Sequence, residues 1–347
     1  MRVWQIATGE IGRDYSKVFF DYDLMIIGPG YPGDALETDY RKSTQVHHRK
    51  IHHFAHYPKP GDRVLMRFGR EVLGVGQIPT GKENQYFFSK TKTFNVYGLD
   101  LHHCRKVIWA KKYDLGDLKD VYKQTTQMWA FTEVHVPEIV NKVRSIDASL
   151  FNRPLKRLPI INSDTYTEEE LGIALFSAGI SHKNIDDITR ALQQAERLNS
   201  WYASKYCGRT PAEHEIVSHM ILPVFLGLGW SHQQIAVEWK RVDMAFFKTT
   251  PTDRDNCVMI LEAKSIGKPL GDVIDQAEKY RKKLRLKNVR YILTTDGNNL
   301  FVYAQKRRRW DRNPVGYLSI SSLQKEYLLP ENTNTIKTLV GLQPSAM

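Results

Sequence analysis

The chain has 347 residues and carries 50 Lys and Arg against 38 Asp and Glu, a formal net charge of +12 at pH 7. This length exceeds what one hydrophobic core usually serves and predicts two or three domains. No apolar run approaches membrane-spanning length and the start lacks a signal-peptide h-region, which predicts a soluble, cytoplasmic protein. The basic balance favours a polyanionic partner.

The three cysteines are widely spaced and form no CxxC pair: Cys104, Cys207 and Cys257. The sequence therefore indicates neither a disulfide framework nor a thiolate zinc site, and it predicts a reducing compartment.

Residues 1–113 read as a first domain of short strands with two covering helices. The strand-like runs lie at 3–8, 24–28, 63–68, 71–78 and 105–110, and the helical stretches at 13–22 and 35–57. Short strands around a small core predict a compact β-barrel. The runs 4–10, 25–28, 61–66, 72–78 and 107–109, with Gly33 and Asp34, resemble the PUA-like group, which includes EVE domains and the DNA-reading domains of modification-dependent restriction enzymes.

This resemblance implies a pocket that holds a flipped, modified base between aromatic faces. The candidate walls are Trp4, Tyr15, Phe19, Tyr22, Tyr31 and Trp109. Asp34 is a candidate acceptor for an exocyclic amine. Each aromatic, taken singly, is more often a core residue, and no sequence rule selects the members of a cage.

Two phosphate-loop patterns and one histidine cluster carry little weight. Residues 28–33 spell GxGxxG, but two prolines and no βαβ repeat argue against dinucleotide binding. Residues 76–82 spell GxxxxGK, but Glu83 replaces the Ser or Thr of a P-loop. Five histidines crowd one predicted helix without an acid or Cys to complete a zinc site: His47, His48, His52, His53 and His56. We expect a solvated or phosphate-facing helix there.

Residues 114–166 read as a linker. It contains a short helix near 118–129 and a basic, Pro-punctuated stretch at 152–159. Residues 167–206 follow as a helical arm, with a Thr cap and an acidic first turn at Thr167. The arm packs on the next domain or forms a dimer contact.

Residues 207–328 carry the most informative pattern, and residues 329–347 form a tail. Residues 242–247 and 257–264 read as two strands of a hairpin that brings Asp243 and Glu262 to one end. Two converging carboxylates are a hard oxygen site suited to Mg²⁺, which activates a bound water and neutralises charge on a phosphate. Lys264, two residues after Glu262, points to the same face and can orient the attacking water or stabilise developing negative charge.

The flanking elements complete a recognisable order. An amphipathic helix at 211–230 carries Glu213 in its first turn, and a helix at 269–286 carries Gln276 before a strand, turn and strand at 290–303. Over residues 205–320 this order resembles the PD-(D/E)XK nuclease superfamily, nearest to the nuclease domains of type I restriction motor subunits. The chain differs from those subunits in showing no convincing motor.

The resemblance implies a restriction-endonuclease-like α/β core and assigns roles to five residues. Asp243, Glu262 and Glu213 correspond to the metal site for Mg²⁺ or Mn²⁺, Lys264 to the catalytic lysine, and Gln276 to the glutamine on the following helix. Glu215 competes with Glu213 for the helix-glutamate position.

Two basic runs, at 279–290 and 306–312, lie close to this motif. Beside a phosphodiesterase site they predict phosphate contacts, which position a duplex without reading its sequence. The candidate contacts are Lys282, Lys283, Arg285, Arg307, Arg308 and Arg309. The alternative is a solvated helix face and a charged hairpin tip. Trp310 either stacks on a ligand or caps the core.

The sequence thus predicts an α+β, α/β multidomain protein that acts as a Mg²⁺-dependent DNA endonuclease. Its N-terminal reader would direct it to modified foreign DNA in phage defence. One site cuts one strand, so cutting a duplex implies a homodimer or two encounters. Two alternatives stay open: a DNA- or RNA-binding protein that keeps only the nuclease fold, and a repair or junction nuclease indifferent to base modification.

Overall fold

The structure is a computed structural model of the whole chain. It describes residues 1–10, 13–43, 45–69, 71–81, 85–111, 131–266, 270, 273–306, 309–311 and 313–347, of which residues 10, 46, 47, 111 and 309 by backbone alone. The predicted short helix near 118–129 lies outside these ranges. The fold mixes helices with several separate sheets and divides into two compact units, Met1–Ile161 and Asn162–Met347. No helix among the described residues is long and apolar enough to cross a membrane.

The first unit is built mainly on two sheets. Its strands are β1 (Val3–Ala7), β2 (Gly9–Glu10), β3 (Arg13–Asp14), β4 (Leu24–Ile27), β5 (Arg63–Phe68), β6 (Glu71–Gln77), β7 (Tyr86–Phe88), β8 (Asn95–Val96), β9 (Leu99–Asp100), β10 (His103–Lys106), β11 (Ile108–Lys111) and β12 (Phe131–Glu133). The larger sheet has the order β11-β6-β5-β1-β12 and the smaller one β4-β10-β7. Only the β1–β5 pair is parallel within them.

The predicted closed β-barrel is not formed by the described strands. The five-stranded sheet ends at β11 on one side and at β12 on the other. The chain passes from the smaller sheet to the larger one at Val107, whose N–H donates to the Asp23 carbonyl (2.9 Å) and extends the β10–β4 register by one residue. The next strand, β11, pairs with β6 of the larger sheet. The two sheets therefore stay separate, and the coarser prediction of short strands with covering helices holds.

Helices and a late segment complete this unit. Its helices are α1 (Ser16–Tyr22), α2 (Val46–His56) and α3 (Pro137–Arg144), with 3-10 turns at Tyr40–Lys42, Lys92–Phe94 and Ala148–Phe151. Residues 131–161, which the sequence places in a linker, belong to the first unit. Ile139 and Val143 of α3 pack with Val3 and Leu65. Arg153 donates two hydrogen bonds (2.5 and 2.6 Å) to the buried Asp23 carboxylate.

The second unit has one main sheet. Its strands are β13 (Ile235–Trp239), β14 (Val242–Phe247), β15 (Cys257–Ala263), β16 (Tyr291–Thr295), β17 (Asn299–Lys306), β18 (Arg309–Trp310) and β19 (Gly316–Ser319). They follow the order β13-β14-β15-β16-β17-β18, with β19 also paired to β17. β15 and β16 are parallel and the other pairs are antiparallel. The strands predicted at 242–247 and 257–264 are confirmed to within one residue.

The helices of the second unit begin with the predicted arm. They are α4 (Glu168–Ser177), α5 (His182–Ala203), α6 (Glu213–Glu215), α7 (Leu222–Gly227), α8 (Val273–Lys283) and α9 (Thr335–Gly341), with 3-10 turns at His232–Gln234 and Pro344–Ala346. The Thr167 cap and acidic first turn of α4 are confirmed, and Glu170 completes a capping box. Both arm helices contribute to the core that covers β14 and β15.

A π-helical segment, Ile216–Ile221, joins α6 to α7 and distorts the helix predicted at 211–230. Pro223 explains the distortion, because it has no N–H to donate and its ring clashes with the carbonyl four residues earlier. That carbonyl, of His219, accepts a hydrogen bond from Gln194 Nε2 (3.3 Å) instead. The three helical segments follow one another without a gap, and Glu213 is the first residue of the first.

Candidate active site

The hairpin of β14 and β15 places two carboxylates side by side. The antiparallel register pairs Met244 with Leu261, so the preceding Asp243 and the following Glu262 are cross-strand neighbours on one face. Asp243 Oδ2 also accepts a hydrogen bond from the backbone N–H of Ala263 (2.7 Å). Since β15 is buried along its whole length, both acids are held on rigid backbone.

Glu262 is almost fully buried, with 1% of its surface exposed. Its Oε2 accepts a hydrogen bond from Gln276 Nε2 on α8 (3.2 Å), which brings the predicted glutamine to the predicted acid. Its Oε1 is buried without a hydrogen-bond partner. A buried carboxylate oxygen left unbonded is costly, and such exceptions often mark a ligand site.

The surroundings disfavour the charged form of both acids. Burial and the nearby Asp243 charge raise the pKa of Glu262 to about 8, although Lys264 acts in the opposite sense. Burial also raises the pKa of Asp243, and the charges of Glu213 and Glu238 add to the effect. Neighbouring carboxyls whose pKa values are both raised are typical of functional sites.

Lys264 extends the group to the helix that precedes the sheet. Its Nζ lies 3.3 Å from Glu213 Oε1 and donates to the Ala263 carbonyl (2.8 Å). Its backbone N–H donates to the Thr295 carbonyl (2.8 Å), which fixes the end of β15 against β16. The structure therefore brings all five predicted site residues into one group.

Glu215, the alternative helix glutamate, has a different position. Arg209 donates two hydrogen bonds to its carboxylate (2.7 and 2.8 Å), and the Ala212 N–H donates a third (2.8 Å). The Arg209 guanidinium holds the pKa of Glu215 far below its usual range. Glu215 thus closes the first helical turn and leaves Glu213 to face Lys264.

Sequence reasoning missed one acid, Glu238. A cleft of about 430 Å³ is lined by Ala212, Glu213, His214, Val217, Val237, Glu238, Asp243 and Ser265. Glu238 lies on β13 with φ +53°, a value uncommon outside glycine and asparagine, so its backbone is turned at the cleft. β13 was not predicted, and nothing in its sequence separates Glu238 from an ordinary exposed acid.

The donor set fits a hard divalent cation. The unbonded Glu262 Oε1 and the adjacent Asp243 are oxygen ligands whose raised pKa values a cation between them would lower. In the described part of the chain, no three His, Cys, Asp or Glu side chains already form a cage. Mg²⁺ does not require one, because it keeps several waters and binds through one or two carboxylates.

The basic residues after the site lie on exposed positions. Lys282, Lys283 and Arg285 are exposed, and Lys282 pairs with Glu278 (2.8 Å). Arg281 instead lies 5.8 Å from the ring centre of Trp310, which is buried and caps the core. Of the second run, Arg307, Arg308 and the side chain of Arg309 lie outside the described residues.

The candidates for the base pocket occupy two kinds of environment. Four of the aromatics are buried in the first unit: Trp4, Tyr15, Phe19 and Trp109. The indole of Trp4 donates to Asp62 Oδ2 (3.0 Å), and that of Trp109 donates to the Leu24 carbonyl (2.8 Å). These contacts give the buried rings a packing role.

Tyr31 and Asp34 lie instead on the loop after β4. Tyr31 is 78% exposed. Asp34 Oδ1 accepts from the Leu36 N–H (2.9 Å) and lies 3.1 Å from the Tyr86 hydroxyl oxygen. Tyr31 is exposed and Asp34 half-buried, as is the remaining candidate, Tyr22 on α1, so a base can reach these three without opening the core.

The loop rests on buried His103. Its Nε2 lies 3.0 Å from the Pro29 carbonyl oxygen, and its Nδ1 lies 2.9 Å from the Tyr86 hydroxyl oxygen. Burial lowers the pKa of His103 to about 4, so the ring is neutral at pH 7. The neutral ring has one proton, which Nε2 donates to the Pro29 carbonyl in one tautomer and Nδ1 donates to the Tyr86 hydroxyl in the other, while the Tyr86 proton is donated to Asp34 Oδ1.

The histidine-rich helix offers no metal site among its described side chains. His48 Nδ1 pairs with the Ser43 hydroxyl (2.7 Å) and His56 Nε2 with the Ala35 carbonyl (3.0 Å). The side chain of His47 lies outside the described residues. Burial lowers the pKa of His52 and His53, in agreement with structural side chains.

No protein-family model matches the chain, and comparison with curated proteins gives no match.

Proposed function

We propose that the chain is a divalent-metal-dependent DNA nuclease of the PD-(D/E)XK type. The observation that carries this proposal is the meeting of Asp243, Glu262 and Lys264 at one sheet end, with an unbonded carboxylate oxygen between them. An acid pair with a lysine two residues after the second acid is the minimum set for hydrolysing a phosphodiester with a hard cation.

Each side chain then has a task. Asp243 and Glu262 would hold Mg²⁺ or Mn²⁺, which supplies an acidified water and charge neutralisation at the phosphate. The Lys264 ammonium orients the attacking water and stabilises charge that develops on the phosphate oxygens. Glu213 positions Lys264 through their 3.3 Å pair. Gln276 holds Glu262 Oε2 and so directs Oε1 to the cation.

The remaining features support a DNA substrate. The exposed cations Lys282, Lys283 and Arg285 lie at the C-terminal end of the helix that carries Gln276, and the net charge of +12 favours a polyanion. We further propose that the first unit is a PUA-like reader of modified bases in phage defence, with Tyr31 and Asp34 at its pocket. Cutting both strands of a duplex would need a homodimer or two encounters.

Incubation of the purified chain with plasmid DNA, modified phage DNA and RNA tests the nuclease. Cleavage is expected with Mg²⁺ or Mn²⁺ and not with EDTA. An Asp243→Asn variant purified in parallel excludes a contaminating nuclease if it is inactive. Metal-independent cutting, or equal cutting by the variant, would refute the assigned site. Preference for RNA would favour the RNA-binding alternative.

The reader is tested by binding in EDTA to duplexes with one type of modified base. A pocket shaped for one added group is expected to favour the modified duplex by about 10- to 100-fold. Tyr31→Ala is expected to remove that preference, whereas Leu36→Ala, another exposed residue of the same loop, leaves it unchanged. Equal binding to methylated, hydroxymethylated, glucosylated and plain duplexes would refute the modified-base reader. The alternative of a nuclease indifferent to modification would remain.

A further inference from the structure

Residues 201–209, which run from the last turn of α5 into the stretch before α6, form an exposed aromatic-basic segment. Trp201 is 50% exposed and Tyr206 is 76% exposed. The Lys205 ammonium lies 5.2 Å from the ring centre of Tyr206. Tyr202, in contrast, packs against the core of the unit and has the Arg209 guanidinium 5.5 Å from its ring centre. The segment is therefore anchored by one aromatic and presents two others to solvent.

One end of the aromatic-basic segment is fixed to the helix that carries Glu213. Arg209 binds the Glu215 carboxylate with two hydrogen bonds, and Glu215 and Glu213 share one helical turn. Tyr206 is three residues from Arg209, so their Cα atoms lie within roughly 11 Å of each other. Tyr206 is thus tied, through Arg209, to the helical turn that carries Glu213.

The other end is fixed to the sheet that carries Lys264. Asn199 Nδ2, two residues before Trp201, donates to the Gly297 carbonyl (3.1 Å). Gly297 is two residues from Thr295, whose carbonyl accepts from the Lys264 N–H. Two independent sets of hydrogen bonds therefore tie the ends of the aromatic-basic segment to the two elements that carry Glu213 and Lys264.

The chemistry of the segment suits unpaired nucleobases. Exposed aromatic rings beside cations are the combination that binds single strands, because every base has a stacking face and every phosphate a charge. A base inside a duplex is already stacked on both sides and cannot use such a ring. Glu213 and the π-helix that follows it leave no comparable aromatic on the cleft lining.

We infer that Trp201 and Tyr206 stack unpaired bases of the nucleic acid next to the cut, with Lys205 on the adjoining phosphate. This inference rests on the proposed function for its substrate. It adds a preference for single strands, frayed ends or flaps over intact duplex, which the carboxylates and Lys264 do not provide. The segment is a binding surface for substrate, and its side chains take no part in the chemical step.

Binding of the full chain in EDTA, where no cleavage occurs, tests the inference. The probes are an oligothymidine and a blunt duplex of equal length, each carrying a fluorophore. Trp201→Ala/Tyr206→Ala is expected to weaken binding of the single strand by at least about tenfold and that of the duplex by less than about twofold. Trp201→Phe/Tyr206→Phe, which keeps an aromatic ring at each position, is expected to retain the single-strand affinity.

Phe176→Ala provides the matched control. Phe176 on α4 lies outside the segment, and its exposure (66%) is between those of Trp201 and Tyr206. Unchanged single-strand binding by the Ala variant, or an equal loss on duplex, would overturn the inference. So would conversion of a dimer to a monomer by the same variant, because the rings would then form a contact between copies. If the Ala variant lost single-strand binding selectively but the wild-type chain cleaved no substrate, the nuclease proposal would be refuted and the binding surface would stand.

Discussion

The two compact units bury titratable side chains in opposite ways. In the first unit, His103 is fully buried and both ring nitrogens have partners, Pro29 and Tyr86. In the second unit, Glu262 is just as buried but one of its oxygens has none. Burial therefore lowers the pKa of His103 to about 4 and raises that of Glu262 to about 8, so that each favours its neutral form.

This difference distinguishes a buried side chain that supports the fold, His103, from one with a proposed chemical role, Glu262. A satisfied buried network fixes one conformation, and in the first unit it holds the loop that carries Tyr31. An unsatisfied buried carboxylate costs stability, and that cost is recovered when a cation binds. Burial thus supports a scaffold in one unit and the proposed reactive site in the other, and four experiments test this contrast.

The largest effect is expected at the reactive site. Lys264→Ala should lower the cleavage rate by about 10²–10³-fold, the usual cost of removing one group that stabilises charge in the transition state. DNA affinity should change by only a few-fold, because most phosphate contacts lie elsewhere. Single-turnover cleavage and binding in EDTA measure the two quantities. Glu196→Ala, an exposed acid on α5, is the control, and full activity of Lys264→Ala would remove the lysine from the mechanism.

The next effect is expected at the scaffold. Tyr86→Phe removes the hydroxyl that serves His103 Nδ1 and accepts from the Ala35 N–H, and should destabilise the first unit by about 1–3 kcal/mol. Tyr31→Phe, at an exposed position, should change the free energy of unfolding by no more than about 0.5 kcal/mol. Denaturant unfolding measures both. An equal, small cost for the two variants would show that the network contributes nothing to stability.

The pH dependence of stability should differ in sign between the units. The folded His103 ring binds its proton only near pH 4, whereas the unfolded ring binds one near 6.5, so acid lowers stability across that interval. The folded Glu262 carboxyl keeps its proton up to about pH 8, well above the unfolded value near 4.5. Stability of the second unit therefore falls as pH rises from about 4.5 to 8.

Glu262→Gln tests this sign directly, because the amide cannot ionise. In metal-free protein, Glu262→Gln should raise Tm by several degrees at pH 8–9 and by less at pH 5. Each kcal/mol of added stability corresponds to about 2–4 °C in Tm. Added Mn²⁺ should stabilise the wild-type chain and have a smaller effect on the variant. Glu196→Gln should show no such pH dependence. A Tm gain that is equal at both pH values would contradict a buried, titrating carboxyl.

The smallest effect concerns the exposed cations after the site. Removing the charges of Lys282, Lys283 and Arg285 together should flatten the salt dependence of DNA binding by about 0.9 units of log–log slope per lost phosphate contact. Charge removal at Lys183 and Arg190 on α5 is the control. An unchanged slope would assign the three cations to a solvated face.

Sequence patterns were most successful where side-chain periodicity and backbone agree. The buried run at 257–263 and the shorter run at 242–247 predict β15 and β14 because strands this apolar have one stable arrangement. The spacing of Glu262 and Lys264 then follows from strand geometry. The roles given to these residues remain a proposal, because geometry alone does not fix function.

Other features depend on contacts that no local pattern records. A buried Trp4 and an exposed Tyr31 are both aromatics near strand ends, and only tertiary packing separates them. The basic stretch at 152–159 reads as a linker because of its prolines, although Arg153 completes a buried ion pair with Asp23. Glu238 acquires its place at the cleft from a backbone turn with φ +53°, which its sequence does not predict.

The pairing of β1 with β12 sets an order of events during synthesis. β1 is synthesised before its antiparallel partner, Phe131–Glu133, which is nearly 130 residues further along the chain. At about 5–20 residues per second, that partner emerges roughly 6 to 26 s later. Asp23 precedes its partner Arg153 by a similar separation of 130 residues. Until then one edge of the nascent sheet exposes unpaired backbone N–H and C=O groups, which another strand can pair with.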